Sequence, residues 1–332
     1  MTDLQSLSDV LRGADAALLA GKPAAAQVWP TGFEPLDTYL AGGLRSGELT
    51  LLGGPQGLGK TTLALQMLRN VVHEGQPALM FSYEHDASTL LERLVALEAG
   101  NLRDVEAVSL RRIRESMEAV DGTRGGLEDR LAATNGGAEA VRAVAEYGEH
   151  VHLHRSSGAS TTLAVIREVV EQVTRGEGRP PFVVVDYLQK VATDQTNEIE
   201  EERVTRIVEG LKDLALDLDL PVLAIVAADR EGLVAGKRLR VHNLRGSSAL
   251  AYEADVVLLM NDKFDVVARH HLVYNVSNAE RFRDYVVVTI EKNRSGLDKI
   301  DLEFRKRFEQ SRFDTDGRSV DEQLVDERVY VE

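Results

Sequence analysis

Eight consecutive residues, 54–61 (GPQGLGKT), have the types and spacing needed to bind the phosphates of a nucleotide. They match the pattern G-x-x-x-x-G-K-[ST] at every fixed position. The glycines let backbone N–H groups surround phosphate oxygens, and a helix N-terminus adds partial positive charge. Lys60 would reach the β- and γ-phosphates of ATP, and the Thr61 hydroxyl would bind Mg²⁺. We therefore expect a cofactor site for ATP and Mg²⁺ made by Gly54, Pro55, Gln56, Gly57, Leu58, Gly59, Lys60, Thr61 and Thr62.

The elements on both sides of this loop favour a phosphate site. Residues 48–53 (ELTLLG) predict a short buried strand. After Thr61, apolar residues recur at helical spacing, and Gly75 is a candidate for the end of that helix. A glycine-rich turn between a strand and a helix can also bind nothing. The order of strand, loop and helix, with all fixed positions present, favours the site.

Two carboxylates stand at the ends of further predicted strands. Residues 181–187 (PFVVVDY) predict a strand buried on both faces, and Asp186 at its tip can hold Mg²⁺ directly or through water. Asp186 could instead cap a turn. Residues 77–84 (PALMFSYE) predict a strand that ends in Glu84 and lies beside the phosphate loop, where a general base belongs. A surface salt bridge is the alternative role of Glu84.

The composition limits the classes of protein to consider. The 332 residues suit one large α/β domain with extensions, or two domains. No apolar run approaches the roughly 18 residues that cross a bilayer, and no secretory signal is visible, so we expect a cytoplasmic protein without a membrane partner. The absence of cysteine excludes disulfides, thiolate zinc sites and a cysteine nucleophile. A net charge of −15 means that any nucleic-acid binding must be local.

Three segments are predicted along the chain. Residues 1–30 comprise an amphipathic helix at residues 2–20, with a narrow apolar seam, and a linker at residues 21–30. That helix could dock on a neighbouring subunit or on its own domain. Residues 31–313 form the main domain. Residues 314–332 form an acidic tail that we expect to be poorly packed.

The remaining patterns predict an α/β fold with a mostly parallel central sheet flanked by helices. Helices are predicted at residues 87–97, 161–174 and 204–216, and polar helical segments at residues 100–148. Further strands are predicted at residues 150–154, 221–227 and 254–260. The last third differs, because strands at residues 271–276, 284–291 and 299–305 are predicted to form antiparallel hairpins at the side of the sheet.

Several short motifs, in the same order and spacing, resemble the C-terminal motor domain of DnaB-type replicative helicases, a RecA-like P-loop ATPase. The resemblance covers about residues 31–313. KaiC-type ATPases share the fold but are less similar around Asp186. Besides the phosphate loop, the motifs are Thr31-Gly32-Phe33, Leu36-Asp37, Gly43-Leu44, Phe81-Ser82-Tyr83-Glu84, Asp186-Tyr187-Leu188-Gln189, Leu244-Arg245-Gly246-Ser247, Glu253-Ala254-Asp255 and Lys292-Asn293-Arg294-Ser295-Gly296.

The resemblance implies roles for four residues. Glu84 matches the carboxylate that polarises the attacking water, and Asp186 matches the Walker B aspartate. Lys292 and Arg294 match a basic pair that reaches into the site of a neighbouring subunit as an arginine finger, a device worth about 10³ to 10⁵ in rate. From composition alone, this pair would be a solvated strand edge. Fingers that act in trans require a homo-oligomer, and the resemblance implies a hexameric ring.

The resemblance also implies a loop that lines the central channel of the ring. In this sequence the loop is basic, and a basic, flexible loop suits the phosphate backbone of single-stranded DNA, although it has no aromatic residue for base stacking. The other channel loop would follow Asp186 and is made acidic by Asp194, Glu198, Glu200, Glu201 and Glu202. A solvated charged face is the alternative. The candidate nucleic-acid residues, against the single acid Glu231, are Arg230, Lys237, Arg238, Arg240 and Arg245.

Two departures from the family pattern bear on function. Only about thirty residues precede Thr31, so the usual N-terminal helical domain is expected to be missing, and a protein partner could replace it. Ala227 occupies the place of a glutamine that senses the γ-phosphate, with no other amide expected nearby; Asp229 and Arg230 are the alternative sensors. The predicted function is an ATP-hydrolysing ring motor that translocates on or unwinds DNA. The alternative is an ATP-gated, KaiC-like regulatory or assembly ATPase.

Overall fold

The computed structural model describes residues 4–22, 24–120, 124–195, 198–234, 236–246, 248–273 and 276–327. Strands in these residues are β1 (Val28–Trp29), β2 (Leu44–Arg45), β3 (Leu49–Gly54), β4 (Ala78–Ser82), β5 (Val151–Arg155), β6 (Phe182–Asp186), β7 (Val222–Ala227), β8 (Val256–Asp262), β9 (Tyr285–Asn293), β10 (Ile300–Arg307), β11 (Arg312–Phe313) and β12 (Arg318–Ser319).

Helices occupy much of the rest of the described chain. They are α1 (Leu7–Leu19), α2 (Glu34–Tyr39), α3 (Lys60–His73), α4 (Ala87–Arg103), α5 (Leu110–Glu118), α6 (Leu127–Leu131), α7 (Gly137–Tyr147), α8 (Leu163–Glu177), α9 (Glu200–Leu218), α10 (Ala249–Glu253), α11 (Lys263–Val266), α12 (Arg269–Val273) and α13 (Val276–Phe282). None of the helices in the described residues is both long and apolar enough to cross a membrane.

A ten-stranded sheet forms the centre of the molecule, in the order β11-β10-β9-β8-β3-β7-β6-β4-β5, with β12 also paired to β10. In the part of this order that runs from β8 to β5, each strand is parallel to the next. The pairs β8–β9, β9–β10 and β10–β11 are antiparallel. The strand β5 lies at one edge of the sheet. The predicted fold class, a mostly parallel sheet with antiparallel C-terminal strands, is confirmed.

Apolar side chains pack on both faces of the sheet, which explains why its central strands are almost continuously hydrophobic. All six residues of β3 are buried. Alternate strand residues contribute to two separate clusters: Leu52 and Val184 pack with residues of α3 on one face, whereas Leu51 and Val183 pack with residues of α8 and α9 on the other. A smaller cluster joins α4 to α5, α6 and α7. The phosphate loop is thus anchored to a fully buried strand.

Local sequence signals account for where several helices begin. The Asp86 carboxylate accepts a hydrogen bond from the Thr89 backbone N–H (2.8 Å) and caps α4. The capping box of Ser6 and Asp9 starts α1, none of whose residues is buried. The carboxylates of Glu200, Glu201 and Glu202 form the first turn of α9, where they complement the helix dipole. These three acids therefore belong to a helix and not to the loop expected after Asp186.

The predicted linker and one predicted strand also need correction. Trp29, at the end of the expected linker, is fully buried and belongs to β1, which pairs with β2. The strand predicted at residues 271–276, two of which lie outside the described residues, is wrong, because residues 269–273 form α12 and α13 begins at Val276. A short apolar run fits both the helical and the strand period, so its sequence does not distinguish them.

The acidic tail is packed against the domain as far as it is described. Residues 318–319 form β12 on the edge of β10. The backbone N–H of Val325 donates to the Val266 carbonyl (2.8 Å), and the Glu322 carboxylate lies 2.6 Å from the Lys263 ammonium. The expectation of a poorly packed tail is thus wrong for residues 314–327, because its carboxylates meet cations of the domain. Residues 328–332 lie outside the described residues.

Candidate nucleotide site

The phosphate loop connects the carboxyl end of β3 to the first turn of α3. Gly57 and Gly59 have φ angles of 84° and 87°, a left-handed conformation that side-chain-bearing residues rarely adopt. The Lys60 ammonium folds over the loop and donates to the carbonyls of Gly54 (2.7 Å) and Pro55 (2.9 Å). Burial lowers the pKa of Lys60, and the charges of Asp186 and Glu84 oppose this shift. The loop thus presents a cation and backbone N–H groups to the same small volume.

The predicted metal ligands meet beside this loop. The Thr61 hydroxyl donates to Oδ2 of Asp186 at 2.7 Å, although 125 residues separate them in the sequence. Burial raises the pKa of Asp186, while this hydrogen bond lowers it. One hydroxyl and one carboxylate fit Mg²⁺, which binds few protein oxygens and takes its other ligands from phosphates and water. The described residues contain no group of three or more acidic, histidine or cysteine ligands.

Glu84 lies at the same end of the sheet as the phosphate loop, although its strand does not pair with β3. The strands β7 and β6 separate β3 from β4, which precedes Glu84. Glu84 nevertheless lines one cavity with Lys60 and Asp186, because the carboxyl ends of parallel strands share one edge. Its side chain is 44% exposed and lies 3.6 Å from the Lys190 ammonium. Glu84 therefore lines the cavity and also forms the salt bridge that was predicted as its alternative role.

The cavity has a volume of about 670 Å³, a size that suits a nucleotide. Arg93 of α4 lines it, with Nη1 3.5 Å from the Thr62 hydroxyl, and burial lowers the pKa of Arg93. Phe308 also lines it and packs edge-to-face on Phe313, with ring centroids 5.5 Å apart. Sequence reasoning missed Arg93 and Phe308, because no motif marks them and their approach depends on tertiary packing.

Lys292 and Arg294 lie far from this cavity in their own chain. On β9, Lys292 faces Val257 of β8, which in turn faces Leu51 near the amino end of β3. The Lys292 ammonium donates to the carbonyls of Ala251 (2.7 Å) and Ala254 (2.6 Å). Burial lowers the pKa of Lys292. The Arg294 Nη1 donates to Asp255 Oδ1 (3.1 Å). The two cations therefore lie towards the amino ends of the parallel strands, whereas the phosphate loop lies at their carboxyl ends.

Ala227 lines the cavity at the end of β7, as its family position predicts. An amide does lie close by in space, contrary to our expectation. The Ala227 backbone N–H donates to Oε1 of Gln189 (3.1 Å), and Nε2 of Gln189 donates to the Arg245 carbonyl (2.9 Å). Asp229, an alternative sensor, accepts instead from the Gly232 backbone N–H (2.7 Å). Gln189 thus joins the turn after β6 to the end of β7.

Most of the predicted nucleic-acid residues have partners within the chain. Arg238 is buried and donates to the Thr289 hydroxyl (3.0 Å) and to Asp301. Arg240 pairs with Glu291 (3.1 Å) and Asp326 (2.6 Å). Lys237 lies 3.7 Å from Glu231, and Arg245 lines the nucleotide cavity and lies 2.8 Å from Glu200. Arg230 is exposed.

The expectation of a flexible basic loop is therefore wrong for Arg238 and Arg240. In a chain with an excess of acidic residues, these two cations are matched by carboxylates that fix the segment to β9, β10 and the tail. Arg230 and Lys237 remain the candidates for contact with nucleic acid.

A phosphate loop at the end of a central parallel strand, with a carboxylate on a second strand, defines a nucleotide-binding P-loop domain of RecA-like fold. The model of the DnaB-like helicase C terminal domain matches residues 29–314. The chain belongs to that family, as the motifs of the sequence predict.

Individual relatives and solved structures agree with this assignment. The chain is 28% identical to the replicative DNA helicase DnaB of Treponema pallidum over 70% of its length and 47% of the relative. It is 27% identical to that of Pasteurella multocida over 86% of its length and 54% of the relative. It thus spans about half the length of these curated relatives.

The fold is similar to two solved structures, each at 20% sequence identity. One of them, an ATPase domain, gives a TM-score of 0.72, and the match covers 94% of this chain and 99% of that domain. The other is a DnaB-like replicative helicase solved in a study of its interactions with primase. It gives a TM-score of 0.70, and the match covers 94% of this chain and 67% of that one.

Proposed function

We propose that this chain is an ATP-hydrolysing motor domain of the DnaB-like helicase type. The hydrogen bond between Thr61 and Asp186, in the cavity that Lys60 and Glu84 also line, is the observation that carries the proposal. It brings a metal-binding hydroxyl and carboxylate to a phosphate loop, with a second carboxylate available as a base. Nothing in the family match supports a KaiC-like alternative.

The proposed chemistry assigns one task to each of these side chains. Lys60 leaves the loop carbonyls and binds the β- and γ-phosphate oxygens of ATP. Thr61 and Asp186 would hold Mg²⁺, which would neutralise charge on the phosphates. Glu84 orients a water and accepts its proton as the water attacks the γ-phosphorus and the bond from that phosphorus to the β,γ-bridging oxygen breaks, which releases ADP. Arg93, half-buried beside Thr62, adds a positive charge from the same chain.

The proposal places Lys292 and Arg294 in the active site of another copy of the chain. Their place at the other end of the parallel strands from the phosphate loop supports this role, because a side chain there can reach only the active site of a neighbouring subunit. Interfaces that repeat head to tail close into a ring when the rotation permits it. We propose a homo-oligomeric ring, with six subunits as in the family pattern.

We further propose that the ring translocates on single-stranded DNA and unwinds duplex DNA. The relatives named above are replicative DNA helicases from bacteria, which supports DNA as the substrate and the cytoplasm as the location. Exposed Arg230 and partly buried Lys237, in the segment that follows β7, are the cations proposed to meet the phosphate backbone.

The test is the rate of ATP hydrolysis with and without single-stranded DNA, at low and moderate salt. We expect Mg²⁺-dependent hydrolysis that DNA increases. Lys60→Ala should abolish hydrolysis and weaken nucleotide binding, whereas Glu84→Gln should bind ATP but lose turnover. Glu168→Gln, an exposed glutamate on α8, is the matched control and should behave as the unmodified protein. Normal hydrolysis by Glu84→Gln would show that another group is the base, and no response to DNA would contradict the motor.

A further inference from the structure

A second polar cavity, of about 740 Å³, lies against the nucleotide site and shares Glu84 and His85 with it. It opens at the carboxyl ends of β4, β5 and β6, the edge of a parallel sheet where ligands usually bind. Three cations from three different elements line it: Arg155 ends β5, Lys190 ends the turn after β6, and Arg203 lies on α9.

The charges of this cavity favour an anion. Among the described residues, neither Arg155 nor Arg203 forms an ion pair within 4.0 Å, although Arg155 interacts electrostatically with Asp86. The two carboxylates of the cavity are already engaged: Asp86 caps α4, and Glu84 lies 3.6 Å from Lys190. Burial lowers the pKa of His85 and keeps its ring neutral near pH 7. Two arginine side chains are thus available for a ligand.

The arginines indicate the chemical class of that ligand. A guanidinium group presents several N–H donors in one plane, which matches the oxygens of a phosphate. Ser156 and Ser157, at the turn that follows β5, also line the cavity, but their backbone N–H groups already donate to Ser82 and Thr161. The charged side chains of the lining favour an ionic ligand, and a phosphate group fits the two guanidinium groups.

Lys190 connects this cavity to the nucleotide site. Its ammonium lies 3.6 Å from Glu84 and 5.1 Å from the centre of the Tyr187 ring. Lys190 belongs to the turn Leu188–Lys190, whose Gln189 binds the Ala227 backbone. An anion near Lys190 would compete with Glu84 for the same ammonium, and so change the surroundings of the proposed base.

We propose that this second cavity binds a phosphate group, and that Lys190 couples its occupancy to Glu84. The coupling rests on the proposed role of Glu84 in hydrolysis, whereas the binding does not. Two sources present this chemistry. One is the backbone of single-stranded DNA, and the other is inorganic phosphate, which hydrolysis releases next to the cavity.

Binding is tested without hydrolysis, on the full chain with Mg²⁺ and a saturating non-hydrolysable ATP analogue that fills the nucleotide site. The probes are inorganic phosphate, by calorimetry, and a fluorescent oligothymidylate, by anisotropy. Arg155→Ala and Arg203→Ala should each lower the affinity for one of the two probes about tenfold, as expected for loss of a charge-assisted hydrogen bond. Arg175→Ala, an exposed arginine on α8, removes the same charge outside the cavity and should change neither.

The probe that weakens identifies the source of the phosphate. If both variants bind both probes as the unmodified protein does, the cavity is not a phosphate site. Circular dichroism checks the fold of each variant. Arg155→Lys and Arg203→Lys, which keep the charge, should retain more affinity than the alanine variants.

Coupling is tested by the ATP hydrolysis rate as the same probe is added. In the unmodified protein the probe should change the rate, and Lys190→Ala should remove that response. Lys190→Arg should restore it, which a merely structural role of Lys190 does not predict. A full response in Lys190→Ala would overturn the coupling. If Glu84→Gln hydrolyses ATP normally, the proposed role of Glu84 as the base is wrong. The binding measurements still show whether the cavity binds a phosphate group.

Discussion

Ala227 lines the nucleotide cavity, at the position where the resemblance to the family implies a glutamine that hydrogen-bonds the γ-phosphate. A methyl group makes no such bond. The backbone of Ala227 is held by Gln189, so its strand remains connected to the turn that follows Asp186. The chemistry of the site is therefore expected to be retained, whereas the signal from the phosphate to the segment that begins at Arg230 should be weak.

Ala227→Gln should therefore increase the stimulation of ATP hydrolysis by single-stranded DNA, with little change in the basal rate. The new amide would reach the γ-phosphate from the end of β7. The measurement is the ratio of rates with and without oligothymidylate. Ala164→Gln, an exposed alanine on α8, is the control. Strong stimulation already present in the unmodified protein would show that another group senses the phosphate.

Lys263 is a buried cation outside the nucleotide site. Its side chain is 1% exposed and pairs with Glu303, which is equally buried, and with Glu322 of the tail. Its ammonium also lies 4.7 Å from the centre of the Phe282 ring. A buried ion pair contributes little net stability, but loss of one partner leaves the other charge unpaired in a medium of low polarity.

Lys263→Ala should lower the free energy of unfolding by about 3–5 kcal/mol, because Glu303 would lose its buried partner. Denaturation by urea, followed by circular dichroism, measures the change. Lys22→Ala, at an exposed position, should change it by less than about 0.5 kcal/mol. A loss below about 1 kcal/mol for Lys263→Ala would mean that Arg318, which also binds Glu303, compensates.

At the scale of elements, the C-terminal tail fixes the segment that follows β7. Besides its ion pair with Arg240, the Asp326 carbonyl accepts from the Arg238 backbone N–H (2.7 Å). Lys237 forms a backbone bridge with Glu327. Arg238 and Arg240 therefore serve the packing of this segment, and substitutions at these positions would confuse DNA binding with stability.

Arg230→Ala and Lys237→Ala together should weaken binding of single-stranded DNA and reduce its dependence on salt. Each lost phosphate contact lowers the slope of log K against log salt by about 0.7, so the pair should lower it by about 1.4. Anisotropy of a labelled oligothymidylate at several salt concentrations measures the slope. Arg238→Ala is the contrast, since it should lower the melting temperature instead. An unchanged slope in the double variant would exclude this segment from the DNA site.

The sequence predicts the parts of the site that depend on local pattern. The phosphate loop fixes the conformation of its own glycines, and the motif at Asp186 supplies its contact with Thr61. The sequence does not predict the order of the strands, because packing between distant segments decides which parallel strands are neighbours; β7 and β6 lie between β3 and β4. The same long-range packing determines the contacts of Arg93 and Gln189 and the burial of Arg238. The pattern of charges in the sequence does not reveal it.

At the scale of the whole molecule, the phosphate loop and Arg294 lie at opposite ends of the parallel strands. With the proposed role of Arg294 as a finger, each domain would contribute half of two active sites. A chain with a damaged loop would still offer its finger to a neighbour, and a chain with a damaged finger would still offer its loop.

Mixing Arg294→Ala with Lys60→Ala protein should therefore restore ATP hydrolysis that neither has alone. With random assembly and independent interfaces, about a quarter of interfaces join an intact loop to an intact finger, so about a quarter of the normal rate should return. Mixing Lys60→Ala with Glu84→Gln is the control and should restore nothing, since both changes affect the same side. Full hydrolysis by an isolated single chain would contradict a shared site.

The strand β5 gives the sheet an open edge, with backbone groups paired on one side only among the described residues. Such edges can add a strand from another molecule, and charged side chains oppose this. Arg155 ends β5, His152 lies on this strand and His150 precedes it, and both histidines form hydrogen bonds with Glu177 (2.7 and 2.9 Å). We therefore expect Arg155 to oppose aggregation of concentrated protein. Solutions of Arg155→Ala should scatter more light than Arg203→Ala at equal concentration.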